Sequence, residues 1–324
     1  MSLVPTIYRS TDPGAPVISG QAGALAALLD AILVDGYGAG ADYRAGLGWT
    51  REFLSPNLRA YRNNPVTGTG YYLRLDDTNP LFGWMRAYES MSDIATGVNP
   101  VPTVAQRANG SMWIKSNQAG GAARPWFAIG NERCMYLFVG HTNQGADYQV
   151  PYFVGDIVSY GPDDQHCFAL SQNGLTAYSS GLGSNITFQP MGQTWYDSPS
   201  VNTSGLYVGR PSQNTVGAIL LGVAVMAATG VVTPYGGSSG NPSYNFPSPV
   251  NGGVISVPGM LLERSLQVRG EYPGLRVPFA TLAYGDEAQV AEGLLSKRFR
   301  STVSGNSTSA NVGEVLFEFE REWH

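Results

Sequence analysis

One stretch of the chain carries helical periodicity. In SGQAGALAALLDAILVDGYG the apolar residues Leu25, Leu28, Leu29, Ile32 and Leu33 recur at the i, i+3, i+4, i+7, i+8 spacing of a single stripe. Ser19 stands where an N-cap belongs and Asp35-Gly36 closes the pattern, which predicts a helix of about 15 residues, roughly 22 Å long. Asp30 interrupts it, so a membrane span is excluded and the stripe is expected to pack on a sheet or on a second copy of itself. Beyond it the period changes. LGWTREF, NLRAYRNN, GYYLRLDD, FGWMRAYESM, SMWIKS, RPWFAIG, RCMYLFVG, YFVGDIVSY and HCFALS are strand-like runs separated by turn residues, the pattern of an antiparallel meander.

Gly130-Asn131-Glu132, between two of these runs, predicts a hairpin whose turn uses positive φ at Gly or Asn. In its second strand Cys134, Tyr136 and Phe138 share one face and Met135, Leu137 and Val139 the other. Both faces are apolar, so this strand is expected to be central and covered on both sides. The second half is looser: GLYVGR, an uncharged run from Val216 to Thr229 expected to be a buried strand pair, and TPYGGSSGNPSYNFPSPVNGG. The chain closes on VLFEFEREW, read as a half-buried strand with Val315, Phe317, Phe319 and Trp323 inward and Leu316, Glu318, Glu320 and Glu322 outward.

The expected fold is therefore mainly β: antiparallel β-sandwich-like sheets with one N-terminal amphipathic helix and long loops. The expected division is an N-terminal helix plus β domain over 1–180 and a second β region over 181–324, with a long Gly/Pro/Ser/Asn-rich loop at 233–253. That loop has too little apolar surface to offset the entropy of ordering itself, and Tyr235, Tyr244 and Phe246 are spaced along it as candidate anchors of an interface arm.

Composition narrows the function. Charged residues make up 13% of the 324, net charge is −5, and 41 glycines with 21 prolines favour strands joined by many turns. Only Lys115 and Lys297 are lysine; the other basic groups are scattered arginines, so no basic stripe exists to track phosphates and nucleic acid is excluded as a partner. Cys134 and Cys167 both sit in apolar runs and read as buried thiols. The N-terminus has no secretory pattern, which leads us to expect folding in a cytoplasm and to read the four Asn-x-Ser/Thr sequons as ordinary loop composition.

Several stretches invite chemistry. YGPDDQHC offers Asp163, His166 and Cys167, with the distant His141, as a ligand set; adjacent strand residues face opposite ways, however, and Gly161-Pro162-Asp163-Asp164 is a strong turn signal. LRLDDTNP suggests calcium at Asp76 to Asn79 but lacks the glycine and glutamate that an EF-type loop needs, and reads as another turn. GGSSG around Ser238 formally fits a nucleophile elbow, yet a proline-rich segment follows where a helix is required. No metal, cofactor or catalytic residue is assigned. Trp84, Trp113, Trp126, Trp195 and Tyr196 lie near turns; strand aromatics usually belong to a core, and Trp195 with Tyr196 are the candidates for stacking on a sugar ring.

The order and spacing of ALLDAILVDGYG, GWTREF, AYRNN, GTGYYLRLDDT, RAYESMSDIATGVNPVPT, RPWFAIGNERCMYLFVG, GDIVSYGPDD, RGEYPGLRVP and YGDE resemble a group of virion structural proteins encoded among the tail genes of tailed bacteriophages and prophages. The similarity runs through most of the chain and thins between about residues 175 and 255. It implies a non-enzymatic structural subunit of a tail tip or baseplate, located in the virion after synthesis in the host cytoplasm. The partners it implies are other tail or baseplate proteins and copies of the chain itself. It also implies that both aspartate doublets belong to turns. The alternative reading is a carbohydrate-binding module that recognises a host-surface glycan; the enzymatic rival is a glycan hydrolase pairing Asp163 with a distant Glu.

Overall fold

The computed structural model describes residues 3–140, 149–172, 205–223, 253–254, 256–263, 267–278, 287–301 and 311–323. Within them the protein is mainly β, with antiparallel sheets and one short helical segment. All nine runs read as strands from residue 47 to residue 172 contain strands, and Gly205–Val208 and Ile219–Val223 follow as the first strands of the second half. Short strands at Thr6–Arg9, Ile18–Gly20, Gly97–Val101 and Gly120–Arg124 were not legible; four of the five residues in Gly120–Arg124 are exposed, so no alternation marks it.

The architecture is a stack of three β layers. The central layer pairs Thr6–Arg9, Trp126–Gly130, Cys134–Gly140, Gln149–Asp156, Phe168–Gln172, Gly205–Val208 and Ile219–Val223 in that order. Through the pairing of Gly222 and Val223 with Leu262 and Leu261 the same sheet continues into Ser256–Leu262, Val268–Pro278, Asn311–Glu318, Leu294–Ser301 and Glu287–Ala291, which fold over one face. A separate six-stranded sheet, built from Thr50–Ser55 through Ser111–Ile114, covers the other face together with the helix.

The alternation in RCMYLFVG explains this stacking. Met135, Leu137 and Val139 enter the core shared with the six-stranded sheet and the helix, whereas Cys134, Tyr136 and Phe138 enter the core shared with the folded-over strands. All seven residues of Cys134–Gly140 are buried, as two covered faces require. The hairpin pairs Trp126 with Val139 and Phe127 with Phe138. Its turn does not use positive φ; the Asn131 side-chain oxygen instead accepts from the N–H groups of Arg133 and Cys134 at 2.9 and 3.2 Å, which closes the loop at ordinary dihedrals.

The helix also differs in detail. It runs as an α segment, Ala24–Leu29, that widens into a π segment, Asp30–Asp35, and stops at Gly36 with φ 76°. All five residues of the stripe are buried, and the stripe packs on sheet, not on a copy of itself. Ser19 is not its cap, because Gly20 to Gly23 keep the chain extended or turning and delay the start to Ala24. At the other end of the chain Leu316 is buried beside Val315 and Phe317, since the final strand pairs with neighbours on both sides. Trp323 folds back so that its indole nitrogen donates to the Glu318 carbonyl at 2.7 Å, and its backbone N–H reaches Leu3.

Candidate functional site

The two aspartate doublets turn out to be the junctions of this stack. Asp76 closes a local turn by accepting from the hydroxyl and the N–H of Thr78 at 2.7 and 3.2 Å. Asp77 is completely buried: one carboxylate oxygen accepts from the N–H groups of Leu25 and Ala26 at 2.8 and 3.0 Å, and the other pairs with the Lys115 ammonium. The helix is thus capped by a side chain about fifty residues further along the chain, which satisfies N–H groups that Gly23 has no side chain to reach. Burial pushes the Asp77 carboxyl up, opposed by Lys115 and the two backbone donors, and pulls the Lys115 ammonium down. Asp77 is therefore more than the turn residue expected, because its neighbours in space are a helix end and a buried cation.

At the second doublet, Pro162 precedes Asp163, which takes φ 52°, the sign a type II turn requires there. Asp164 caps the backbone N–H of His166 at 3.1 Å, accepts from the Ser159 hydroxyl at 2.6 Å and pairs with Arg269 at 2.6 Å. Arg269 lies in Val268–Pro278 and is almost fully buried; its second arm pairs with Glu263 at 2.5 Å. Glu263 also accepts from the N–H and the hydroxyl of Ser212, at 2.8 and 2.9 Å. One guanidinium thereby holds together the 160–166 turn, the end of Ser256–Leu262 and the loop at 211–214.

These groups line a cleft of about 600 Å³ whose walls come from residues 160–166, from Pro211, Ser212 and Asn214, and from Glu263, Gln267, Val268 and Arg269. Behind it, Glu89 in Phe82–Met91 takes both arms of Arg210, at 2.5 and 2.6 Å, and the side-chain amide of Asn99 at 2.8 Å. The Tyr71 hydroxyl lies 3.2 Å from Glu89 and 3.0 Å from Nδ1 of His166. Burial raises the Glu89 carboxyl, but Arg210 and Asn99 outweigh it and the net shift is downward. Burial, then Arg210, holds the His166 imidazole below its ordinary value against Glu89 and Asp164.

Among the candidate ligands, His166 faces Tyr71 and the cleft while Cys167 points into the opposite core, and His141 lies outside the described residues. Burial raises both thiols, Cys134 and Cys167, well above the ordinary range. No group of three or more His, Cys, Asp or Glu stands in metal-holding geometry among the described residues, and no helix there is long and apolar enough to cross a membrane. Trp84 is half-buried and Trp113 and Trp126 are core residues. Trp195, Tyr196, Ser238 and the arm residues Tyr235, Tyr244 and Phe246 lie outside the described residues, as do residues 224–229 of the apolar run expected to be a buried strand pair; in its described part Ile219–Val223 is a strand and Val216 is exposed.

Sequence reasoning missed Glu89, Arg210, Glu263 and Arg269. The available signal was their rarity: in a chain with 13% charged residues, a charge set inside a strand pattern must find a partner on folding. Comparison with models of known protein families finds no match, and no curated protein sequence matches the chain.

Proposed function

We propose that this chain is a non-enzymatic structural subunit of a phage tail tip or baseplate, assembled with copies of itself and with other tail proteins through protein–protein interfaces. The observation that carries the non-enzymatic part is the occupancy of the space between the cleft's carboxylates. A glycan hydrolase needs two carboxyls flanking an open gap of roughly 5–10 Å in which a glycosidic bond or water can sit. Asp164 and Glu263 instead clasp the same guanidinium, and Arg269 fills the space between them. Asp163 lines the same cleft from the exposed corner of its turn.

The tail assignment rests on the ordered resemblance along the chain. Consistent with it, the described body buries both faces of its central sheet in a chain poor in charge, a construction suited to a rigid building block. Peptide mass spectrometry of density-purified particles, followed by a cryo-EM map of the tail, is the test. The expected result is the chain at a fixed stoichiometry, with its three-layer body fitted in the tail tip. Absence from purified particles would refute the assignment.

A further inference from the structure

We propose that the outer face of the six-stranded sheet is a docking surface for a second copy of this chain, whose exposed Glu320 and Glu322 meet its arginines. Strand alternation defines the face. Tyr61, Leu73, Leu75, Met85 and Ala87 enter the core shared with the helix and the central sheet. Their neighbours Arg62, Tyr72, Arg74, Arg86 and Tyr88 therefore turn the other way. On that side Tyr72 stacks on Phe53, with ring centroids 6.5 Å apart, and carries the Arg62 guanidinium 5.1 Å from its ring centre. Arginine and tyrosine together on a solvent face are the residues that anchor protein interfaces.

The charges on this face are not matched within the chain. Arg74 stands directly opposite Arg86 in the ladder, an unfavourable pairing of like charges. Other arginines, among them Arg9, Arg51, Arg210 and Arg276, find a carboxylate. Arg62, Arg74 and Arg86, all half-buried, find only carbonyls among the described residues: those of Gly70 at 2.9 Å, of Ile94 at 2.8 Å, and of Arg107 and Ala108. These bonds fix the guanidinium groups without neutralising them. Glu52, Asp76 and Asp93, the nearest acids in the sequence, accept instead from Thr50, from Thr78 and from the N–H groups of Ala95 and Thr96. Acids so close to the arginines repel a continuous polyanion and suit a partner that brings single carboxylates between apolar contacts.

The chain itself carries such a segment. Beyond the final strand Glu320 and Glu322 are exposed and pair with no cation among the described residues, beside the half-buried Phe319. The arginine face and these acids are different patches, so the contact is head-to-tail; it propagates from copy to copy and closes into a ring where the rotation allows. This inference rests on the proposed assembly of the chain with copies of itself.

Sedimentation velocity on the full chain, at up to about 100 µM and in about 50 mM and about 500 mM sodium chloride, tests it. Self-association is expected at the lower salt and is expected to weaken about tenfold at the higher. Arg62→Glu with Arg74→Glu in one variant, and Glu320→Arg with Glu322→Arg in another, should each sediment as monomer. An equimolar mixture of the two should associate again, because each reversed patch meets its reversed complement and each native patch its native one. A wild type that stays monomeric at the lower salt, association that the substitutions leave unchanged, or folded variants whose mixture stays monomeric would each overturn the proposal. Should the first variant fail to fold, loss of association in the second, whose substitutions are exposed, decides alone. A monomeric chain found in purified particles would remove this contact and keep the tail assignment; a self-associating chain absent from particles would do the reverse.

Discussion

Asp76-Asp77 and Asp163-Asp164 are nearly interchangeable as sequence: two aspartates with a proline close by, between strand-like runs. In the folded chain each pair divides its labour in the same way, the first member shaping a local turn and the second reaching across the fold. They differ in depth and in what lies opposite. Asp77 is fully buried and serves a helix end and a lysine that is also fully buried. The Asp164 side chain keeps 14% exposure and shares its arginine with Glu263. A doublet motif therefore carries no fixed energetic weight; the desolvation of its second member and the number of alternative partners set it.

The sharpest way to break the comparison is at Asp77. Asp77→Ala leaves Lys115 as an unpaired buried charge and two helix N–H groups without an acceptor, and is expected to cost about 3–5 kcal/mol in urea unfolding. The double variant Asp77→Leu, Lys115→Met should recover most of this but stay about 1–2 kcal/mol below wild type, because the helix N-terminus remains uncapped. A double variant as stable as wild type would show that the ion pair, and not the cap, is the whole role of Asp77. Asp164→Ala comes next, at about 1–2 kcal/mol, since Arg269 keeps Glu263. A loss equal to that of Asp77→Ala would erase the distinction between the doublets.

A smaller effect separates them by pH. The native state holds the His166 proton less readily than the unfolded chain does, so that contribution to stability is complete above the ordinary imidazole pKa of about 6.5 and is lost as pH falls below it. The lowered Glu89 carboxyl acts in the same direction at more acid pH, its contribution being lost as pH falls through the depressed value. Hydrogen-exchange protection factors in Phe168–Gln172 and Gly205–Val208 should therefore fall between pH 7.5 and 5.5 more than in Ala24–Leu29, and His166→Gln should remove most of the difference. An equal fall in both places would argue against this. The smallest expected change is a gain: Asp163→Gly relieves a non-glycine residue at φ 52° and should stabilise the chain by roughly 0.5 kcal/mol, read as a small rise in melting temperature.

Much of the fold was legible because its signals are local. The stripe from Leu25 to Leu33 is periodic enough to name both the helix and its buried face. The double alternation in Cys134–Gly140 announced a strand with two covered faces before either cover was known. The start of the helix was not legible, because the group that caps it is Asp77 and the sequence near Ser19 offered a plausible local substitute. Nor was the cleft: Glu263 and Arg269 pair across one turn, but Asp164 reaches them only through the tertiary fold, and each alone looks like one more scattered charge.

What the sequence by itself determined is the set of elements whose hydrophobic period is contained within a dozen residues, with the turns that separate them. Tertiary structure alone decided which face of the central sheet each cover takes, which aspartate becomes a helix cap and which becomes half of a clasp. The reason is physical. Periodicity reports where apolar surface must be buried, whereas the partner of a desolvated charge is set by proximity in space: Lys115 stands some forty residues from Asp77 and Arg269 over a hundred from Asp164, although only six from Glu263.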